Sequence, residues 1–211
     1  MAPIPFFSHK QARVAPPPSR VKYNYQDKRA VEQLSQALTE HLLLLNPEGK
    51  QPIVVIGIGT DRSTGDCLGP LVGTNLSRIP NLPFAVYGTL DDPVHASNLD
   101  SKLAAIKARH PNPLIIAVDA CLGQAESVGL ITLALGSLKP GAGVNKNLPE
   151  VGDIHFTGIV NVGGYMEYFV LQNTRLSIVM QMAQLIAKSL YLGIKRACDY
   201  HQGVAVAQGL Q

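Results

Sequence analysis

The stretch 53–73, IVVIGIGTDRSTGDCLGPLVG, limits the fold of this chain more than any other part of it. Residues 53–58 form a short continuous apolar run rich in β-branched side chains. Such a run does not alternate with polar residues, so it suits a strand covered on both faces. Gly, Thr, Ser and Asp then make a loop. The chain restarts as a helix over residues 67–78, with Asp66 placed to cap its N-terminus. A second apolar run, residues 114–118, ends in the same way, in Asp119.

The rest of the chain repeats this alternation. Val31, Leu34, Leu38, Leu42 and Leu45 recur at steps of three and four, which predicts a helix over 27–45. Residues 83–90 read as a second strand. Ser97 or Asn98 caps a helix that Pro111 closes off, and 114–118 is the third strand. Residues 129–135 and 154–160 read as the fourth and fifth. The glycine- and proline-bearing stretch 136–149 between them is a long loop, a type that often serves function. A short helical segment at 165–171 leads to a final helix over 174–198. Its apolar face is Leu176, Val179, Met180, Ala183, Ile186, Ala187 and Leu190. Strands alternating with helices over short connections predict a mainly parallel, mixed sheet with helices on both faces, a three-layer α/β/α sandwich. Ligands of such sheets bind beyond the carboxyl ends of the strands, where Asp66 and Asp119 both fall.

A chain of 211 residues is expected to form one domain, here 26–200. Residues 1–25 hold Lys10, Arg13, Arg20, Lys22 and three consecutive prolines without an acidic residue, and read as a flexible basic arm. Residues 201–211 read as a tail. A net charge of +3 is too small to argue for nucleic acid. Three cysteines without paired ligand spacing fit a reducing cytosol. The sequence shows neither an apolar run near the ~18 residues of a membrane span nor a signal peptide, so the expected location is cytoplasmic.

Gly57-Ile58-Gly59 resembles a nucleotide-binding loop only at first sight. A dinucleotide fingerprint needs a glycine where Arg62 stands, and a phosphate loop needs Gly-Lys-Ser/Thr where the chain has Gly65-Asp66-Cys67. An acid at that helix start also competes with phosphate for the backbone N–H groups. Two carboxylates at neighbouring strand ends are different chemistry. Brought close and partly dried, they cannot both ionise easily, and the pair shares a proton. One member then takes a proton from water while the other polarises a carbonyl. Capping for Asp66 and a loop hydrogen bond for Asp119 are the plainer roles. Ser63 and Thr64 are placed to donate hydrogen bonds to one carboxylate. Asn145 and Lys146 lie in the loop expected over the strand ends, where Lys146 would stabilise an oxyanion. His155 is a candidate third ligand if a divalent metal binds with Asp66 and Asp119. Cys67, near a helix start, is a candidate nucleophile and Cys121 its counterpart beside Asp119, with apolar packing as the simpler role of both.

The segments GTDRSTGDCLGPLVGTNL, AVDACLG, LKPGAGVNKNLPEVGDI and GYMEYFVLQNTRL resemble the germination protease family of spore-forming bacteria, most closely a short sporulation branch of it. The resemblance spans roughly residues 27–197. It implies a hydrolase-like (phosphorylase/hydrolase-like) α/β/α fold similar to hydrogenase-maturation peptidases. It also implies a peptidase whose catalytic pair is Asp66 and Asp119, acting without a cofactor on a protein or peptide, spore proteins among them, in the developing or germinating spore. Three other functions follow from the same residues. They are a metal-dependent maturation-type peptidase, a non-catalytic sporulation protein on a protease scaffold, and hydrolysis through Cys67. In the resembled family a proline precedes the first aspartate; here it is Gly65.

Overall fold

The computed structural model describes residues 16–140 and 148–209, with the backbone alone at 205 and 207–209. In chain order its strands are β1 (Arg20–Asn24), β2 (Ile53–Gly57), β3 (Ala85–Tyr87), β4 (Leu114–Gly123), β5 (Leu130–Leu135) and β6 (Ile154–Val162). Its helices are α1 (Ala30–Leu45), α2 (Leu68–Ser77), α3 (Leu99–Arg109), α4 (Glu167–Gln172) and α5 (Leu176–Gly209). The strands make one sheet in the order β1-β5-β6-β4-β2-β3. β3, β2, β4 and β6 run parallel, whereas β5 is antiparallel to both β6 and β1. The fold is therefore α/β, a mixed six-stranded sheet flanked by helices.

The apolar runs divide between the two faces by the period of two that a strand imposes. Val55, Ile116, Val118 and Phe156 point into a core with α1, α2 and α5. Val54, Ile56, Ile115 and Ala117 point the other way, into a smaller core with Leu99 and Ile106 of α3 and with Leu138 and Val151. Continuous rather than alternating strand sequences are the direct result.

Glycines press α2 onto the sheet. A Cβ on Gly69 would fall within 3.0 Å of the Ile58 backbone, and one on Gly73 within 3.0 Å of the Gly88 carbonyl. Gly57 faces the same crowding from Gly69, and a Cβ on Gly88 would collide with the Gly57 backbone of β2. The GIG and GPLVG glycines thus permit close helix–strand packing. They are not there to cradle a phosphate.

Four expectations change. The basic arm is not an arm at its far end: Arg20–Asn24 pairs with β5 as a sixth strand. Val21 and Tyr23 pack on the larger core, and buried His41 donates from Nε2 to the Pro18 carbonyl at 2.9 Å. The expected tail is helical, because α5 continues to Gly209. The apolar stripe of α5 runs through Val179, Met182, Ala183, Ile186 and Leu190, while Leu176 and Met180 are exposed. The 3.6-residue period selects 182 over 180 once Val179 and Ile186 are fixed. By length and composition alone, residues 176–204 would suffice to cross a membrane; in the fold this helix packs its stripe against α1, α2 and β6.

Candidate functional site

The site is built around one backbone step, Ile58–Gly59, where β2 ends. Ile58 N–H donates to the Val118 carbonyl of β4 at 2.7 Å, and Gly59 N–H donates to the Val94 carbonyl at 2.8 Å. Gly59 has φ +139, and a Cβ there would collide with the Asp66 carbonyl. Thr60 N–H donates to that same carbonyl at 3.2 Å. The loop 60–65 therefore closes on itself and returns Asp66 to the side of Gly59. Its far end is pinned as well, by a 2.8 Å hydrogen bond from Gly65 N–H to the Leu171 carbonyl of α4. A side chain at 65 would meet Leu171 and Thr174, so glycine is what the contact with α4 permits.

Asp66 is half-buried, and it is not a helix cap. The residue at the N-terminus of α2 is Cys67, and no side chain caps that end. Burial pushes the Asp66 carboxyl above its ordinary range, with the Thr60 backbone N–H and the charge of His95 pulling it back down. Asp119 is 6% exposed. Its Oδ1 accepts the Ala120 N–H at 2.8 Å, which fixes the direction of the carboxylate. Asp119 does not end its strand, as the sequence suggested. β2 stops pairing at Val118, but β4 continues against β6 as far as Gly123. The apolar run ends at 118 because the second neighbour and its cover end there. Asp66 and Asp119 therefore flank the Ile58–Gly59 step at the carboxyl edge of the parallel strands.

The supporting residues fare unevenly. Ser63 is buried, and its Oγ has no hydrogen-bond partner. Thr64 receives the Cys67 thiol on its carbonyl at 2.9 Å. Neither hydroxyl holds a carboxylate, contrary to expectation. Asn145 and Lys146 lie outside the described residues. His155 shares a face of β6 with Thr157, the partner of Asp119, but pairs with Ala117, one row lower. Its Nδ1 donates to the Gly136 carbonyl at 2.8 Å. Among the described residues no three His, Cys, Asp or Glu side chains are grouped so as to hold a metal. Asp66, Asp119 and His155 do not form the ligand set that a divalent ion would need.

Both cysteines beside the aspartates are thiols at neutral pH. Burial pushes Cys67 up to about 11, with the charges of Asp66 and Asp61 adding to it. Burial likewise pushes Cys121 up to about 11, Asp119 adding and a hydrogen bond with Thr157 opposing. A nucleophile needs the opposite environment. Hydrolysis through Cys67 has no support in this geometry.

One residue escaped the sequence reading. His95 lies between β3 and α3 and acts on the Asp66 carboxyl by its charge. Its backbone N–H donates to Asn98 Oδ1 at 2.8 Å, and the Ser97 N–H lies 3.3 Å from its Nδ1. The available signal was position: a histidine in DDPVHASN, soon after a strand of a parallel sheet, falls at the edge where such sheets bind ligands.

The geometry defines an α/β protein with a mixed six-stranded sheet flanked by helices, and Asp66 and Asp119 both lie near the carboxyl edge of its parallel strands. Residues 22–189 match the family described as Protein of unknown function (DUF1256), and the chain belongs to that family. The uncharacterized protein YyaC of Bacillus subtilis (strain 168) is 55% identical over 169 residues, 80% of this chain and 81% of that protein. Among solved structures, a NiFe hydrogenase maturation protease, HycI from Thermococcus kodakarensis KOD1, aligns with a TM-score of 0.43 at 22% identity, over 67% of this chain and 94% of its own.

Proposed function

We propose that this chain is a peptidase that hydrolyses a peptide bond with a water activated between Asp66 and Asp119. The observation that supports it is that the chain brings the backbones at Asp66 and Asp119 to either side of the Ile58–Gly59 step, with different surroundings for the two carboxyls. Asp66, whose carboxyl burial pushes above the ordinary range, is the member better suited to hold the shared proton and to donate it to the scissile carbonyl oxygen. Asp119, held by the Ala120 N–H, takes a proton from the attacking water and passes it to the leaving amine. Similarity to the germination proteases in the motifs around both residues supports a sporulation or germination role and a spore protein as substrate.

The test is cleavage of a proteome-derived peptide library by the purified protein, read by mass spectrometry. Asp66→Asn and Asp119→Asn should each lower cleavage at least ~100-fold, the order expected of a lost acid or base, with an unchanged circular dichroism spectrum. A chelator should have no effect. Full activity in both variants would remove the aspartate mechanism.

A further inference from the structure

Exposed apolar side chains are gathered in one part of the surface. Among the described residues twelve large ones are exposed, and seven of them lie between 162 and 180. Helix α4 buries no residue. Its positions 166, 169, 170 and 173 recur at steps of three and four and so share a face. That face meets the end of β6 in a cleft of about 610 Å³, whose apolar walls are Val162, Tyr165, Met166, Phe169 and Val170. Tyr165 is 82% exposed and Phe169 53%, and the Phe169 ring is braced edge-on by Tyr168. The polar residues of the cleft are already engaged. Asn161 Nδ2 donates to the Val170 carbonyl at 3.3 Å, and Asn173 Nδ2 donates to the Phe169 carbonyl at 2.8 Å. Met166 opens α4 with φ +49, a conformation that glycine takes freely and methionine only at a cost. Glycine would relax that turn; methionine adds an apolar wall to the cleft.

We propose that this cleft is a docking subsite for the polypeptide substrate, and that it takes a large apolar side chain (Phe, Tyr, Leu or Met) about three to four residues from the bond cleaved. The inference rests on the peptidase reading above. Three observations choose this occupant. None of the eight residues lining the cleft is charged, so an apolar side chain enters without stripping water from a charge. Eight residues also fall far short of the roughly 20–30 a side that a stable dimer buries, whereas the volume lies within the roughly 300–1,000 Å³ of sites that enclose a small ligand. Finally, α4 adjoins the loop that carries Asp66. The Leu171 carbonyl accepts the Gly65 N–H at 2.8 Å, and a Cβ on Gly65 would meet Leu171 and Thr174. Leu171, on another side of α4 from the cleft, also packs on the larger core, which leaves the cleft side chains free. One helix breadth, about 10–12 Å, therefore separates the cleft from the neighbour of Asp66. An extended peptide covers that in about three to four residues at roughly 3.3 Å each.

Two measurements test the subsite. The first is fluorescence anisotropy with labelled twelve-residue Ser/Thr/Gln peptides that carry either Phe and Leu, or two further Ser, at the centre. The Phe/Leu peptide should bind the wild type about tenfold more tightly than the Ser peptide, the order expected when a large apolar side chain is buried. Met166→Gly and Phe169→Ser should each remove most of that difference. Leu176→Ser/Met180→Ser, exposed on α5 outside the cleft, should leave it unchanged. Met166→Gly relaxes the backbone, so its melting temperature should not fall, and lost binding then reports the side chain and not the fold. The second is the cleavage profile of the same peptide library. Phe, Tyr, Leu and Met should be enriched about three to four residues from the scissile bond with the wild type, and the enrichment should fade in both cleft variants. Cleavage without apolar preference overturns this inference and leaves the peptidase intact. Apolar-selective binding that both cleft variants lose, with no cleavage anywhere, upholds the cleft and removes the peptidase. A preference that survives both variants overturns the cleft. So does a wild-type dimer that Phe169→Ser splits in light scattering, or sedimentation with phosphatidylcholine vesicles, where peptide selectivity is missing: the occupant is then a second copy or a lipid surface.

Discussion

Asp66 sits where a carboxylate is expensive to ionise, and that has a consequence for stability. Its folded pKa is raised above the ordinary value of 3.8. The folded state thus holds the proton more tightly than the unfolded chain, and stability from this group is present below about pH 3.8 and lost as pH rises through the folded pKa. Asp66→Asn removes the charge and keeps the shape. The variant should melt at a higher temperature than the wild type at pH 7–8, with the difference closing below about pH 4. Thermal unfolding across pH measures this directly, and a variant that melts lower at neutral pH would contradict it. The cysteines yield a second test. With pKa values of about 11, Cys67 and Cys121 hold roughly one thiolate per thousand at pH 8. Iodoacetamide at that pH should label both far more slowly than in the denatured chain and should leave cleavage unaffected. Rapid inactivation would restore a cysteine mechanism.

The approach of α2 to the sheet sets where Asp66 stands, so the helix and the site should fail together. Ala at Gly69 or Gly73 would drive a methyl into backbone, which no rotamer change relieves. Each should cost about 1–3 kcal/mol and lower cleavage more than its effect on folding explains, because the start of α2 must shift. Gly136→Ala makes a useful contrast, as nothing stands within 4 Å of its Cβ position although its φ is +96. What the sequence disclosed about these elements was uneven for physical reasons. β2 and β4 were legible because burial on both faces leaves a continuous apolar run. β1 was not, although RVKYN alternates: an edge strand of five residues beside prolines carries little signal until its partner β5 is known. The overhang of β4 past Val118 was invisible too, since ACLG loses its apolar run as β2 ends, while pairing with β6 persists. Asp66 and Asp119 could be picked out by the motifs around them. The orphan hydroxyl of Ser63 and the field of His95 depend on contacts distant in sequence.

At the scale of the whole molecule, α5 is the beam against which α1 and α2 are laid, and Leu190 lies fully buried along it. Leu190→Ala should cost about 2–5 kcal/mol, readable by chemical denaturation. An unchanged midpoint would mean that α5 is not structural. Removal of residues 16–25 should unpair the edge of β5, expose the seats of Val21 and Tyr23, and promote aggregation. The two faces of the sheet are covered unequally. Among the described residues the core under α1, α2 and α5 contains 26 buried side chains, and the one under α3 contains ten. Helix α3 itself buries only Leu99 and Ile106. Amide protons should therefore exchange in two tiers. Those of α5, α1 and the central strands should be released only with global unfolding, and those of α3 through local opening at far lower free energy. Asp66 is carried in on the slow tier, and His95, which tunes it, hangs from the fast one. Breathing of a single lightly anchored helix would then modulate the acidity of the site while its foundation stays closed.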